Sequence, residues 1–320
     1  MNAYKAAEKK WKSFKVARGE AWEERVPHWS SDLIDLEASS AHGARQIDMI
    51  EVDPGRHRPV YSFCSHNGTD KTHEGFYVIP DALDHDTQRM LAVKCLTEYA
   101  EPPHTTNLHQ LNQQVEQIWQ KSLNCANAKT KDPMQSLHWA ALGYHYDWTQ
   151  RAYPDQAGSP IPEELGTLGT KFASAVGFEL LSEAALVNYY KPTSTMGGHQ
   201  DDVEVTFDHP VVSLSIGCSA IFLKGGLSKE IAPLELLVRS GDVVIMGGNS
   251  RLCFHGIAKI LPVLHLDAFP LSEQRSPATP AVATFLRANR LNINVRQVFP
   301  HAATSDSDNR GQKKQKIEDE

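Results

Sequence analysis

The chain has 320 residues, enough for one large domain with extensions or for two small ones. Hydrophobic residues make up 41% and charged residues 22%, the balance of a soluble globular protein, and no apolar run approaches the ~18 residues of a membrane span. A formal net charge of −7 does not advertise a nucleic-acid binder, although a local basic patch can sit on an acidic protein.

In chain order, residues 1–25 read as a short charged helix. The opening "MNAYKAAEKKWKSFKVARGE" lacks the apolar core of a secretory signal; its basic character leaves organelle targeting open, with Glu8 and Glu20 against it. Residues 42–72, rich in Gly, Pro, His and Asp, read as loop with one short extended piece, "PVYSFC". "GFYVIPDAL" (75–83) is strand-like and stops at a proline. Residues 84–100 have helical periodicity, with Leu91, Cys95, Leu96 and Tyr99 on the apolar face. The pattern predicts a further helix over 107–123, a polar loop over 124–135 and a helix over 163–178 that starts after Pro162.

From residue 184 onward the segments are short, β-rich and separated by glycines, as in a sandwich or jelly roll. Residues 262–286, rich in Pro and Ser, read as a surface insertion, and "FLRA" (285–288) as the lead into the last strand. The polar tail "ATSDSDNRGQKKQKIEDE" is expected to be disordered, its lysines serving as an import signal, a nucleic-acid contact or only a soluble end. Five dispersed cysteines (Cys64, Cys95, Cys125, Cys218, Cys253) with no CxxC argue against a disulfide framework and thiolate zinc clusters.

One stretch carries chemistry. In "GGHQDD" (197–202), His199 and Asp201 stand two apart, so an extended backbone turns both to one side. An imidazole and a carboxylate together suit a transition metal such as Fe(II), although a polar turn before a strand would look the same. His255, inside the apolar run "RLCFHGIAKI", is the third candidate ligand; a satisfied core histidine is the alternative. Asp202 and Glu204 are rival carboxylates, the first expected to point away from His199 and the second further along. In "NRLNINVRQVF" strict alternation places Arg290, Asn292, Asn294 and Arg296 on one face. Two arginines inside a barrel require an anion, and a dicarboxylate such as 2-oxoglutarate would supply it; outside a barrel they need none.

These stretches, in this order, resemble the AlkB family of Fe(II)/2-oxoglutarate-dependent dioxygenases, in its ALKBH1-like branch. "NYYKPTSTMGGHQDD", "PVVSLSIGCSAIFLKGG", "SGDVVIMGGNSRLCFHGI" and "RLNINVRQVF" carry the similarity, supported upstream by "GFYVIPDAL" and "LHWAALGYHYDW", over roughly residues 74–299. The resemblance implies a mainly β fold with helices: a double-stranded β-helix (jelly roll) core with an N-terminal helical extension and a substrate lid. It implies iron ligands at His199, Asp201 and His255, and cosubstrate contacts at Arg290, Arg296, Asn188, Tyr190 and Asn292. It also implies Trp139, Tyr144 and Tyr146 as candidate contacts to a base, each of which could instead pack the lid. Lys129, Lys131 and Arg151 nearby could touch phosphate or be scattered surface charge. The implied organisation is a helix and flexible region over 1–73, a catalytic domain over 74–300 and a polar tail over 301–320. Within the domain the lid spans about 137–155, the jelly roll about 184–299 and the insertion about 262–286.

The implied reaction is oxidative demethylation of a nucleic-acid base with O2, releasing formaldehyde, succinate and CO2. The target base must leave its stack, which favours tRNA or single-stranded or looped DNA or RNA, N1-methyladenine first. Two departures stand out. The segment between His255 and Arg290 is longer than in bacterial members, and Val203 occupies the position of a carboxylate that contacts the base in those members. The alternatives are an iron oxygenase of proteins or small molecules, an abasic-site lyase using a lysine nucleophile, and a non-catalytic nucleic-acid-binding module. The chain is expected to be a monomer with no membrane partner, in nucleus and cytoplasm, with the mitochondrion as the other compartment.

Overall fold

A computed structural model describes residues 2–16, 21–38, 43–63, 71–111, 116–125, 131–270 and 280–300. The chain runs through α1 (Ala3–Ser13), α2 (Val26–Trp29), β1 (Leu33–Ile34), β2 (Arg45–Asp53), β3 (Arg56–Ser62), β4 (Phe76–Ile79) and α3 (His85–Thr97). It continues with β5 (Thr105–Thr106), α4 (Asn107–Gln110), α5 (Ile118–Asn124), β6 (Trp139–Gly143), α6 (Glu163–Ala175), β7 (Ala184–Tyr190) and β8 (Met196–His199). The last third holds β9 (Val211–Gly217), β10 (Ser219–Lys224), β11 (Leu234–Val238), β12 (Val243–Met246), β13 (His255–Leu261), α7 (Pro280–Ala288) and β14 (Arg290–Arg296).

The result is a mixed α/β fold built on two sheets. One has nine strands in the order β2-β3-β4-β12-β9-β14-β7-β6-β5; the other has five, β1-β11-β10-β13-β8. Pairing is antiparallel apart from β1 on β11. Among the described residues no strand pair joins the two sheets.

Alternation sorts the side chains into layers. On β14, Leu291, Ile293 and Val295 pack outward with Leu91, Leu96, Phe172 and Leu286 from helices α3, α6 and α7. On β12, Val243 and Ile245 join that outer core, whereas Val244 and Met246 turn inward against Leu236, Val238 and Phe76. The outer face of the small sheet is covered by α1, whose Tyr4, Ala7, Trp11 and Phe14 pack on Ile221, Leu223, Leu237 and Ala258. The inward face of β14 is left to Arg290, Asn292 and Asn294, which line an internal chamber.

Three sequence expectations change. The supposed loop over 42–72 carries the hairpin β2–β3, turned at Gly55 with φ +77°. Its outer strand is an exposed edge whose apolar residues, Ile47, Met49, Ile50 and Val52, keep no single alternation because the register shifts between Gln46 and Asp48 and again between Glu51 and Asp53. The helix expected over 107–123 is two short ones: Gln117 adopts φ +57°, and the Glu101 carboxylate accepts the Gln117 and Ile118 N–H groups at 2.7 and 2.6 Å, starting a new helix. The 262–286 insertion is not merely surface. Leu266, Ala268, Phe269, Val282, Ala283 and Leu286 are buried in the outer core, and "FLRA" is the helical end of α7 that leads directly into β14. Strand β6, at the start of the segment 137–155, pairs residue by residue with β7. Lys129 and the tail 301–320 lie outside the described residues.

Candidate metal centre and its two chambers

The register of β8 on β13 places His199 directly opposite His255. Asp201 follows two residues after the end of β8 and turns back to the pair. Its Oδ1 is 3.6 Å from His199 Nε2, and its Oδ2 is 4.0 Å from His255 Nε2. One ligand atom from each of the three falls within 4.8 Å of the others. His199 Nδ1 lies 3.0 Å from the Gly197 carbonyl, and His255 Nδ1 lies 3.2 Å from the Cys253 carbonyl. A carbonyl only accepts, so each Nδ1 carries a proton and each Nε2 is the ring nitrogen left facing the centre.

Charge is arranged to match. Burial pushes His255 down to about 4, so it is neutral at pH 7. Burial would raise the Asp201 carboxyl, but Arg296 beside it, with His255, His199 and Arg251, holds it well below the ordinary carboxylate range. A neutral His255 and an ionised Asp201 are the protonation states in which these two groups can bind a divalent metal. The donor set of two histidines and one carboxylate fits non-haem Fe(II). The rival acids are excluded. Glu204 is buried and bound by Arg296 at 2.7 Å and Arg251 at 3.0 Å, and neither it nor Asp202 joins the triad.

The triad opens on the internal chamber, lined also by Tyr190, Ser213, Ser215, Arg290, Asn292 and Asn294. Arg290 is 2% exposed. It donates from Nη1 to the Cys218 carbonyl (3.2 Å) and from Nη2 to Ser215 Oγ (2.7 Å), while its Nε has no partner. Among the described residues no carboxylate forms an ion pair with it. Tyr190 is its cross-strand neighbour on β7, and Asn292 sits opposite Asn188. Asn292 donates to Ser213 Oγ and the Leu214 carbonyl at 2.7 and 3.1 Å.

Asn188 and Arg296 face a second chamber, an aromatic cleft of about 220 Å³. Trp139, Tyr144 and Tyr146 line it, together with His145, Trp148, Tyr153 and Val203. Trp139 and His145 lie 5.1 Å apart, and Tyr146 contacts Trp148 and Tyr153 edge-on at 4.9 and 5.3 Å. Met196 lines both chambers, and the Asp201–Arg296 ion pair (3.2 Å) joins the metal side to the cleft side.

Sequence reasoning missed Arg251, Tyr153, Trp148 and His145 as parts of the site. Arg251 is 2% exposed, donating to the Asp201 carbonyl, the His209 carbonyl and Glu204. The available signal was an arginine four residues before His255 within an otherwise apolar run. Lys131 and Arg151 are exposed, and Arg151 has φ +54°.

The family model of the 2OG-Fe(II) oxygenase superfamily matches residues 75–296. The nucleic acid dioxygenase ALKBH1 of Mus musculus is 34% identical over 252 residues, 70% of this chain and 64% of the mouse protein. This chain therefore spans just under two thirds of that relative's length. The DNA N(6)-methyladenine demethylase ALKBH1A of Arabidopsis thaliana is 31% identical over 340 residues, covering 93% of this chain and 96% of its own. The tRNA demethylase abh1 of Schizosaccharomyces pombe is 32% identical over 290 residues, 84% of this chain and 90% of its own. The chain belongs to the 2OG-Fe(II) oxygenase superfamily, and within it to the ALKBH1-like branch of AlkB proteins. The cluster of His199, Asp201 and His255 has the two-histidine, one-carboxylate composition that could hold the Fe(II) of that class.

Proposed function

We propose that this protein demethylates N-alkylated bases in nucleic acid, with N1-methyladenine in tRNA as the first substrate to test and DNA as the second. The observation that carries the reading is the aromatic cleft set against the metal centre, sharing Met196 with it and linked by the Asp201–Arg296 pair. A flipped base needs a stacking slot with its reactive group facing the metal, and aromatic side chains provide one for any base. The names of relatives that act on DNA and on tRNA support the same substrate class.

In this reading Trp139, Tyr144 and Tyr146 contact the base, and Val203 leaves its edge without a carboxylate partner. Arg290 receives a carboxylate of 2-oxoglutarate, with Tyr190 and Asn292 lining the same chamber. Arg296 holds Asp201 ionised, and it and Asn188 border the cosubstrate from the cleft side. Iron, 2-oxoglutarate and O2 supply the oxidising chemistry, releasing succinate and CO2, and the methyl group leaves as formaldehyde. The two sheets are proposed to be the halves of a double-stranded β-helix, with β7, β9, β12 and β14 facing β8, β10, β11 and β13.

The test is to load purified protein anaerobically with Fe(II), add 2-oxoglutarate and pooled tRNA or DNA, admit O2, and quantify modified nucleosides and succinate by mass spectrometry. Loss of one methylated nucleoside matched by succinate, absent in a His199→Ala/Asp201→Ala double variant, is expected. Succinate with no nucleoside change in either pool would redirect the search to protein or small-molecule substrates.

A further inference from the structure

The strand that carries His199 is poorly held by its own sheet. β8 is four residues long, two of them glycine, and it is the edge strand of the small sheet with β13 as its one neighbour. The β8–β13 register shifts between His255 and Ile257, so the ladder is irregular just where the metal ligands stand. Glycine-rich edge strands have little rigidity of their own.

Helix α1 grips this strand from outside. Glu8 Oε1 accepts the Gly198 N–H at 2.7 Å, and the other oxygen of the same carboxylate meets Lys5 Nζ at 2.5 Å. The Tyr4 ring lies flush on the strand: a Cβ on Gly198 would stand 2.4 Å from Tyr4 Cε1, and one on Gly225 would stand 2.8 Å from Tyr4 Cδ2. Tyr4 is anchored in this slot by its hydroxyl, which donates to the Leu223 carbonyl (3.1 Å), and by its backbone N–H on the Lys229 carbonyl (3.0 Å). This explains the glycine immediately before His199, which sequence reasoning left without a cause.

We propose that α1 is a working part of the metal centre, with Tyr4 and Glu8 as positioning residues that clamp β8 and so hold His199 opposite His255 and beside Asp201. The proposal rests on the reading of the triad as an iron site. A helix that served as an apolar cover alone would need Ala7, Trp11 and Phe14 on the sheet, and Trp11 Nε1 and Lys10 Nζ on Glu235; those contacts are present and do not involve Glu8. The Glu8 contact goes to the backbone of the residue preceding the ligand. Removing an outer partner that orients a metal ligand typically costs about 10–100-fold in metal affinity.

The experiment uses the full-length, metal-free protein with Co(II) as the probe. Affinity is read by calorimetry, ligand geometry by visible absorption, and the amides of 197–199 by hydrogen exchange. Glu8→Ala is expected to bind Co(II) at least about tenfold more weakly, with an altered absorption band, faster exchange at those amides and an unchanged Tm. Glu8→Gln, whose amide oxygen can still accept the Gly198 N–H, is expected to stay close to wild type. Wild-type Co(II) affinity and exchange in Glu8→Ala, or a Glu8→Gln variant as weak as Glu8→Ala, would overturn the clamp while leaving the triad in place. Absence of Co(II) binding by the wild type would overturn the triad and the clamp together.

Discussion

His199 and His255 are direct partners across the β8–β13 ladder, with ring centroids 4.4 Å apart and both Nδ1 atoms tied to the carbonyl two residues earlier. Strand register, not loop conformation, sets this half of the metal site. His255→Ala leaves one imidazole and one carboxylate. Mn(II) affinity should then fall by at least about 100-fold, more than loss of an outer partner costs, and 2-oxoglutarate turnover should vanish. Calorimetric titration with Mn(II) checks this, and an unchanged affinity would remove His255 from the ligand set.

Arg290 gives two outcomes of opposite sign. Truncating one member of a buried charge pair costs about 2–5 kcal/mol in binding, so Arg290→Met should raise KM for 2-oxoglutarate by about 30-fold or more. Among the described residues no carboxylate forms an ion pair with the guanidinium, and its Nε has no partner. Replacing it with an apolar chain should therefore leave Tm unchanged or raise it. A lowered Tm with an unaltered KM would assign Arg290 to packing.

Much of this site is legible in the sequence. His199 and Asp201 two apart, and strict alternation from Arg290 to Arg296, are local patterns that survive folding because an extended strand repeats every two residues. What alternation could not show is which partner each residue meets. Arg290 and Arg296 share a face of β14, yet one lines the metal chamber while the other is held by Asp201 and Glu204 near the cleft. Glu204 looked like a rival metal ligand because nothing local reveals that Arg251, 47 residues on, reaches it. The hairpin β2–β3 escaped for a different reason: its outer strand is an exposed edge broken by two register shifts, so its apolar residues follow no single period.

His255 should leave a mark on stability against pH. It sits at about 4 in the fold, against 6.5 ordinarily. Between these values the unfolded chain binds a proton that the folded chain refuses, so stability rises with pH through the window. The contribution is complete above pH 6.5 and is lost as pH falls toward 4, on the order of 3 kcal/mol. Asp201, held low, acts in the same direction at still lower pH. Urea unfolding of the metal-free protein at pH 7 and pH 4.5 should show a smaller loss in His255→Ala than in the wild type; equal losses would contradict a buried neutral imidazole.

Trp139 separates the substrate classes. If a base stacks in the cleft, Trp139→Ala should lose about 1–3 kcal/mol of substrate binding, seen as a higher KM for tRNA with KM for 2-oxoglutarate unchanged. Trp139 lies in β6, whose backbone pairing with β7 does not depend on the indole, so the fold should persist. A variant that keeps its KM for tRNA would exclude Trp139 as a stacking platform.

Glu204 holds two arginines in place and the chamber depends on it indirectly. Its side chain is fully buried between Arg251 and Arg296. Glu204→Gln keeps the shape and removes the charge, leaving both guanidinium groups short of a counter-ion, and breaking a buried pair in this way costs about 3–5 kcal/mol. For a chain of this size Tm should drop by roughly 5 °C. Arg296 retains Asp201 as its remaining carboxylate, and the tightened Arg296–Asp201 pair competes with the metal for that side chain, so Mn(II) affinity should fall as well. Adding Arg251→Met to Glu204→Gln removes one stranded charge and should recover part of the lost Tm without restoring metal affinity, because Arg296 still holds Asp201. Thermal melts and Mn(II) titrations on the single and double variants read the two effects separately. A Glu204→Gln variant with wild-type Tm and affinity would mean that Asp201 and the neighbouring carbonyls satisfy both arginines without it.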